Sequence, residues 1–465
     1  MSENLSIVIL AAGLGTRMKS KTAKVLHRAG GRTLAEHVVD TARCLTAPDR
    51  IVVVTGYQAE VVEQLLSDRG VSFAIQREQR GTGHAVMAAR EKIEPLGGLV
   101  LILYGDAPLL SAETLRRLVA SQRQGDRAAM VITTVLNDPT GYGRVVVDPA
   151  GNIAAIVEQK AATEEQRAIR EINSGIYCFR SDLLWRHINE IGANNPAGEF
   201  YLTDIVEILR GHGHRVGRMV LDPPDEVLGI NTRAELAEVD RLFRSRAVLK
   251  WMLEGVTIEK PETVVIDPLV TLGRDTIIGP FAQVLGNTRV GEDCRIGSCS
   301  IVADSSLGDG VEIAPFTLVA DSDIEAGAHI GPYARLRNGN QIGAKARIGN
   351  FVELKKTRMG RGSKANHLAY LGDSHIGGGV NVGAGTITCN YDGVHKHPTW
   401  IGDGEFIGSN ATLVAPVEIG AGSYVGAGSV ITEAVPTDAL ALGRGRQVNK
   451  EGWAARRREQ TGKSR

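Results

Sequence analysis

Thr276-Ile-Ile-Gly-Pro-Phe-Ala-Gln-Val-Leu-Gly-Asn-Thr-Arg-Val-Gly-Glu-Asp-Cys-Arg-Ile-Gly297 decides how this chain is to be read. An aliphatic residue is followed by glycine at Ile278-Gly279, Val290-Gly291 and Ile296-Gly297. The pair returns at Ile330, Ile342, Ile348, Ile401, Ile407, Ile419 and Val425. Within each run the spacing is six or a multiple of six. Six is no helix period, and it is too long for simple strand alternation. It fits a parallel β-helix with three short faces per coil, spanning roughly Val264 to Ile431. One aliphatic side chain of each hexapeptide points into the coil. The glycine and small polar residues are expected to turn the corner, where a side chain would crowd or φ must be unusual. Such a solenoid is quasi-one-dimensional, and its flat sides can associate with copies of themselves.

At 465 residues the chain exceeds one ordinary core, so two or more domains are expected. Net charge is zero, with 53 acidic and 53 basic residues, which argues against a nucleic-acid binder. Cys44, Cys178, Cys294, Cys299 and Cys389 are odd in number and form no C-x-x-C pair. Structural zinc and a disulfide framework are therefore not expected, and a reducing compartment is. The apolar run Leu5–Ala12 is too short to span a membrane and lacks a basic flank, so neither secretion nor membrane insertion is expected. These features place the protein in the cytoplasm.

Upstream, Leu5–Leu10 reads as a buried parallel strand feeding the glycine loop Ala11-Ala-Gly-Leu-Gly-Thr-Arg17. Such a loop presents amides to phosphate, and Arg17 and Lys24 flank it with cations. The third glycine of the dinucleotide fingerprint is missing, because Met18 stands there. There is also no Walker lysine. Further strands are expected at Ile51–Val54, Ser72–Ile75 and Leu99–Leu103, with helices at Leu34–Leu45 and Ala59–Leu66. This alternation predicts a parallel α/β sheet with its ligand beyond the carboxyl strand ends.

Gln79-Arg-Gly-Thr-Gly-His84 and Tyr104-Gly-Asp106 lie at such ends, and Asp106 suits Mg²⁺, which takes few protein oxygens. Gly141-Tyr-Gly-Arg144, Glu158 and Asn173-Ser-Gly175 look like pieces of a sugar pocket. Asn231 ends this domain. Thr232 with Glu235 reads as a capping box opening a connecting helix to about Leu253. In the solenoid the rhythm is expected to break near Met359–Leu371, where Lys364-Ala-Asn-His-Leu-Ala-Tyr370 would intrude. The tail beyond Gly443 is basic.

In this order the motifs resemble the bacterial bifunctional N-acetylglucosamine-1-phosphate uridylyltransferases/glucosamine-1-phosphate N-acetyltransferases, over nearly the whole chain. The carriers are Leu10-Ala-Ala-Gly-Leu-Gly-Thr-Arg-Met18, Gly81-Thr-Gly-His84, Tyr104-Gly-Asp106, Asn350-Phe-Val-Glu-Leu-Lys-Lys356 and Gly383-Ala-Gly-Thr-Ile-Thr-Cys-Asn-Tyr-Asp-Gly393. One departure is Ala23, where the family usually has proline.

The resemblance implies a Rossmann-like nucleotidyltransferase domain over 1–233, a helical linker over 234–254, and a left-handed β-helix of hexapeptide repeats with a basic tail over 255–465. It implies acetyl-CoA-dependent N-acetylation of glucosamine 1-phosphate, then uridylyl transfer from UTP to give UDP-N-acetylglucosamine, a precursor of peptidoglycan and lipopolysaccharide. By resemblance, Asp106 and Asn231 hold Mg²⁺ and Arg17 and Lys24 face the triphosphate. Leu10, Ala11, Ala12, Gly13, Gln76, Gly81, Thr82, Tyr104 and Gly105 hold the nucleotide, and Gly143, Glu158 and Asn173 the sugar. His367 is the family's base, since amine attack needs a proton acceptor, and Glu353 would orient it. Arg337, Lys355, Tyr370, Asn381, Asn390 and Tyr391 would bind the sugar phosphate. Ala384, Ser409, Ala427 and Arg444, again with Asn390 and Tyr391, would line the acetyl-CoA groove. A homotrimer is implied, with the acetyl site between subunits. Two alternatives stay open here: a nucleotidyltransferase whose solenoid only oligomerises, and a non-catalytic scaffold.

Overall fold

The computed structural model describes residues 5–195 and 197–462. The chain separates into two compact units, one ending at Phe243 and the other beginning at Arg244, so the division falls inside the helix Arg233–Leu253.

The first unit is built on a nine-stranded sheet. Its strands are β1 (Leu5–Leu10), β2 (Ile51–Thr55), β3 (Ser72–Ile75), β4 (Leu99–Tyr104), β5 (Ala129–Val135), β6 (Arg144–Val147), β7 (Ile153–Val157), β8 (Glu171–Arg180) and β9 (Val216–Leu221). The main order is β9-β5-β8-β4-β1-β2-β3, with β6 and β7 as an antiparallel pair beside β8. From β3 to β4 all pairings are parallel, as the alternation of strands and helices predicts. Beyond β4 the sheet is mixed, because β8 runs antiparallel to both β4 and β5.

β1 shows why a continuous apolar run becomes a central strand. Ile7 and Ile9 pack into one core layer while Val8 and Leu10 pack into the other. Each fully buried aliphatic side chain contributes about 1.5–3 kcal/mol, so a polar residue anywhere in β1 would weaken one layer. The helices Leu34–Arg43 and Ala59–Leu65 follow the expected pattern. Thr33 and Glu36 close a capping box on the first of them. The predicted box before the connector is also present. The Glu235 carboxylate accepts from the Asn231 and Thr232 amides at 2.7 Å, and Thr232 Oγ1 accepts from the Glu235 amide at 3.2 Å. That cap fixes the backbone of Asn231.

The second unit is a parallel β-helix with three sheets of eleven, ten and nine strands. Strands of the first sheet begin at Ile277, Arg295, Glu312, His329, Arg347, Lys364 and Asn381, so each coil takes 17 or 18 residues. The inward positions form one continuous core from Val256 to Val435.

The structure decides between two expected roles for glycine and corrects one further expectation. Among the glycines of the aliphatic–glycine pairs only Gly331 has the unusual φ, +101°. At Gly297 a Cβ would sit 2.6 Å from the Pro315 backbone nitrogen of the next coil, so glycine is needed for the close approach of coils. The left-handed φ falls two residues later, on Phe281, Cys299, Phe316, Tyr333, Phe351 and Leu368.

The coil also does not break at Met359–Leu371. Arg358–Met359, Lys364–His367 and Tyr370–Gly372 are regular strands, with Ala365 and Leu371 filling the inward positions usually held by Ile or Val. The pattern looks broken only because alanine and leucine replace the aliphatic–glycine pair. The true excursion is 390–398, between the strands Ile387–Cys389 and Thr399–Ile401.

Candidate active sites

In the first unit, β1 and β4 end side by side and their loops open a cleft of about 530 Å³. Leu10 to Gly13, Arg17, Lys24, Gln76, Gly81, Thr82, Tyr104, Asp106, Gly143, Glu158, Asn173 and Asn231 all line it. Gly105 lies behind the wall, where its N–H donates to the Leu10 carbonyl at 2.9 Å. At Gly15 φ is +61°, and a Cβ would meet that of Lys24 at 2.8 Å, so glycine lets the lysine close up on the loop.

Four segments meet at the polar centre. The Lys24 ammonium pairs with Asp106 Oδ2 and donates to Asn231 Oδ1 at 3.1 Å. Arg17 donates to the same Asn231 oxygen at 2.7 Å. The oxygens of Asp106 and Asn231 thus converge on a cationic group, as a divalent-cation site requires. They are hard donors of the kind Mg²⁺ prefers.

The departure at Ala23 also has a structural account. Its φ of −55° is one proline adopts, so the backbone before Lys24 is unchanged. Its N–H, which proline lacks, donates to Gln58 Oε1 at 2.7 Å.

A shift of register in β8 between Asn173 and Tyr177 turns Asn173, Ser174 and Gly175 toward the cleft. Burial raises the Glu158 carboxyl, with Asp204 and Glu199 adding to the rise against a hydrogen bond from Thr203. Burial also holds the Tyr104 hydroxyl protonated. Gln79, Tyr142 and Glu199 complete the wall. Of these, Glu199 carries no motif in the sequence that would mark it.

In the second unit the candidate residues fall into columns. The residues just before the left-handed corner of successive coils are Asn350, His367, Ala384, Ser409 and Ala427. Backbone hydrogen bonds join neighbouring corners: Leu368 N–H to Asn350 at 3.0 Å, Asn410 N–H to Ala384 at 2.7 Å, and Gly428 N–H to Ser409 at 2.8 Å. Three proposed acetyl-CoA residues therefore stand in file below His367, about 4.8 Å apart per coil. The corner itself changes at this level. Above, Phe316, Tyr333 and Phe351 stack with centroids 5.1 and 5.2 Å apart. Below, the corner is held by Gly385, Asn410 and Gly428, none of them aromatic.

His367 Nδ1 lies 2.6 Å from Asn350 Oδ1. This bond holds the proton on Nδ1 and leaves Nε2 as the acceptor. The partner of the ring is thus Asn350 and not Glu353, which accepts from Arg337 Nε at 2.6 Å. Arg337, Lys355, Glu353 and Tyr370 share the second sheet, with Arg337 paired in register to Lys355 and Glu353 to Tyr370. Asp373 sits 3.7 Å from the Lys355 ammonium and accepts from the Asn390 side chain. Asn381 lies on the first sheet, and Tyr391 and Arg444 are exposed.

A residue the sequence reading missed is Lys396, in the excursion. Lys355 beside it lowers its pKa, so two cations share a site. Like charges this close mark a place for an anion such as a phosphate. The excursion is folded on Asp392, whose carboxyl is held down at about 2 by the His395 amide, His397 and the Val394 amide.

Comparison with known proteins agrees with both halves. Residues 7–174 match the family model described as MobA-like NTP transferase domain, and residues 269–304 and 398–433 match bacterial transferase hexapeptide (six repeats). The chain is 60% identical to the bifunctional protein GlmU of Solibacter usitatus, over 99% of this chain and 98% of that protein. It is 50% identical to the bifunctional protein GlmU of Koribacter versatilis, with 98% of each covered. It is 46% identical to that of Trichlorobacter lovleyi, over 97% of this chain and 98% of the relative.

Proposed function

The chain belongs to the family of bifunctional GlmU proteins, and on that premise we propose how its residues divide the two reactions. It is a uridylyltransferase and an acetyltransferase of UDP-N-acetylglucosamine synthesis. The observation that carries the division is that Arg17, Lys24, Asp106 and Asn231 lie wholly in the first unit, and Asn350 with His367 wholly in the second.

In the first unit, N-acetylglucosamine 1-phosphate attacks the α-phosphorus of UTP and pyrophosphate leaves. The nucleophile is already an oxyanion, so the protein must align two polyanions and offset their repulsion. Arg17 and Lys24 supply positive charge, the loop Leu10–Gly13 with Gln76, Gly81 and Thr82 seats the nucleotide, and Gly143, Glu158 and Asn173 seat the sugar. Asp106 and Asn231 would hold Mg²⁺, which neutralises phosphate charge when bound. Lys24 and Arg17, which now sit on these two oxygens, would face the triphosphate.

In the second unit, the amine of glucosamine 1-phosphate attacks the acetyl-CoA thioester. His367 Nε2 takes the ammonium proton, the amine forms the new C–N bond, the C–S bond breaks, and the second proton the nitrogen sheds goes to the departing thiolate, releasing CoA. Asn350 fixes the tautomer. Arg337, Lys355 and Lys396 offer cations to the sugar phosphate, with Tyr370, Asn381, Asn390 and Tyr391 around the sugar. Glu353 holds Arg337 in place. The file Ala384, Ser409, Ala427 takes the pantetheine arm, and Arg444 the CoA phosphates.

His367 and Tyr391 of this group are exposed. Phe281, Phe316, Tyr333, Phe351 and Leu368 form an exposed apolar corner beside it. Both features support a homotrimer whose neighbour completes the acetyl site. A cytoplasmic location is part of this proposal, supported by five free cysteines. No helix among the described residues is long and apolar enough to cross a membrane.

The test supplies glucosamine 1-phosphate, acetyl-CoA, UTP and Mg²⁺ to the pure protein and follows CoA and pyrophosphate separately. Both products are expected, with pyrophosphate dependent on acetyl-CoA. Pyrophosphate appearing only when acetylated sugar is supplied would remove His367 from catalysis and leave the solenoid a scaffold.

A further inference from the structure

Three side chains that neither reaction uses meet near the amino ends of the first unit's strands, away from the cleft. His187 ends the helix Ser181–His187, Glu190 closes the turn Ile188–Glu190, and His212 follows the helix Ile205–Gly211. His187 Nδ1 lies 2.7 Å from Glu190 Oε1, and His212 Nε2 lies 2.9 Å from Glu190 Oε2. The two imidazole rings face each other with centroids 4.2 Å apart. The three donor atoms all fall within 4.8 Å of one another. His214 stands next to them, its ring centroid 5.9 Å from that of His187.

We propose that this cluster is a binding site for one divalent transition-metal ion of the zinc class, with a structural role. Two imidazole nitrogens and one carboxylate oxygen are ligands that suit zinc, and they are a poor set for Mg²⁺. Tetrahedral ligands about 2.0–2.2 Å from zinc stand roughly 3.3–3.6 Å apart. The two nitrogen–oxygen contacts, one to each Glu190 oxygen, need to open by less than an ångström, and the widest donor pair, within 4.8 Å, to close by about 1 Å, on the order of a side-chain rotation. His187 is buried and anchors the site, while Glu190 and His212 are exposed and leave an entry path.

The backbone holds His212 in place from the other side. The His212 N–H donates to Ile208 at 3.2 Å, the Gly213 N–H to Arg210 at 2.9 Å, and the His214 N–H to Leu209 at 3.0 Å. One ion would therefore tie together two helices that are separate in sequence.

The placement excludes a catalytic part for this ion. The Ser181 amide donates to Gly98, just ahead of β4, and the Ala128 amide to Arg215, just ahead of β9. The cluster thus sits at the amino end of β4. Asp106 and the glycine loop lie past the carboxyl ends of β4 and β1.

The experiment titrates full-length, metal-free protein with Co²⁺ and follows its visible absorption, then displaces it with Zn²⁺. One equivalent of Co²⁺ in a four-coordinate environment is expected, displaced by Zn²⁺ and indifferent to millimolar Mg²⁺. His212→Ala should weaken this binding about tenfold or more. Zn²⁺ should raise the Tm of the wild-type protein and not that of the variant, and both transferase rates of the variant should match wild type. Glu190→Gln, which keeps the side-chain volume and removes the anionic donor, should reproduce the loss if His212→Ala folds poorly. A six-coordinate spectrum, or unchanged affinity in a folded variant, would overturn the proposal.

Discussion

Arg17, Lys24, Asp106 and Asn231 come from four segments of the first unit and meet in one cleft, whereas His367, Ala384, Ser409 and Ala427 stand in single file on one corner of the second. The first arrangement needs long-range folding to bring distant residues together, and all its residues come from one chain. The second needs only that coils stack in register, and it stays open on its outer side. A doubly wound sheet makes its site where crossing loops converge. A solenoid makes its site by repetition, one residue per coil. The difference teaches that enclosure must come from elsewhere in the second case, and a neighbouring copy is the simplest source.

The largest expected effect separates the two sites. Asp106→Ala should abolish uridylyl transfer and spare acetyl transfer, and His367→Ala should do the reverse, each with a loss of about 10²-fold or more. A folded variant that loses both activities would break the comparison at its root. Dilution offers the next test: acetyl transfer per chain should fall once the oligomer dissociates, while uridylyl transfer per chain holds steady. If both rates stay constant through dissociation, as followed by light scattering, the second site is complete within one chain.

Asn350→Ala should lower acetyl-transfer kcat by roughly tenfold, a modest part of what a general base contributes, because the ring loses its fixed tautomer. It should also change the pH profile of kcat while leaving the acetyl-CoA KM near wild type. A change confined to KM would assign Asn350 to binding.

Glu405 separates the units by stability. It is a carboxylate buried inside the β-helix, 1% exposed, with only the Glu405 and Gly402 amides near it and no side-chain partner for either oxygen. Burial raises its pKa above the ordinary glutamate value of 4.5. The folded chain therefore binds the proton more tightly than the unfolded one. Stability is fully present below the ordinary value and falls as pH rises through the raised one. Glu405→Val should stabilise the second unit at neutral pH by about 1–3 kcal/mol and flatten this dependence, with no change in the first unit. Calorimetry at pH 5 and pH 8 reads both effects. The smallest effect is expected from Ala23→Pro. The φ is already suitable, so the entropic gain is offset by loss of the Gln58 hydrogen bond, leaving stability within about 1 kcal/mol of wild type.

The two units also differ in how far the sequence revealed them. β1, the glycine loop and the capping box at Thr232 are local signals, and each appears where the apolar run, the turn residues or the Ser/Thr–Glu spacing puts it. The antiparallel β8 was hidden, because strand direction is decided by distant partners. Glu199 was hidden for the same reason. In the solenoid the period was plain in Ile278-Gly279 and its repeats, and it left two roles open for the glycine, crowding or an unusual φ. The period shows that coils stack but not which atom of the next coil stands nearest. Ala365 and Leu371 disguised a regular coil as an interruption. The real excursion was visible only as the cluster Asn390-Tyr-Asp-Gly393, and Lys396 within it carried no signal beyond being a lysine.

One end of the solenoid also deserves a physical consequence. Val248 and Trp251, near the end of the helix, are buried in the same core as the first coils. They close the apolar end of the coil, the face on which a coil of another molecule would stack. Head-to-tail growth into a fibre needs a free face at both ends of each copy, so a stopper at one end limits stacking to at most two chains meeting tail to tail. The part that opens the β-helix therefore also sets a ceiling on polymerisation.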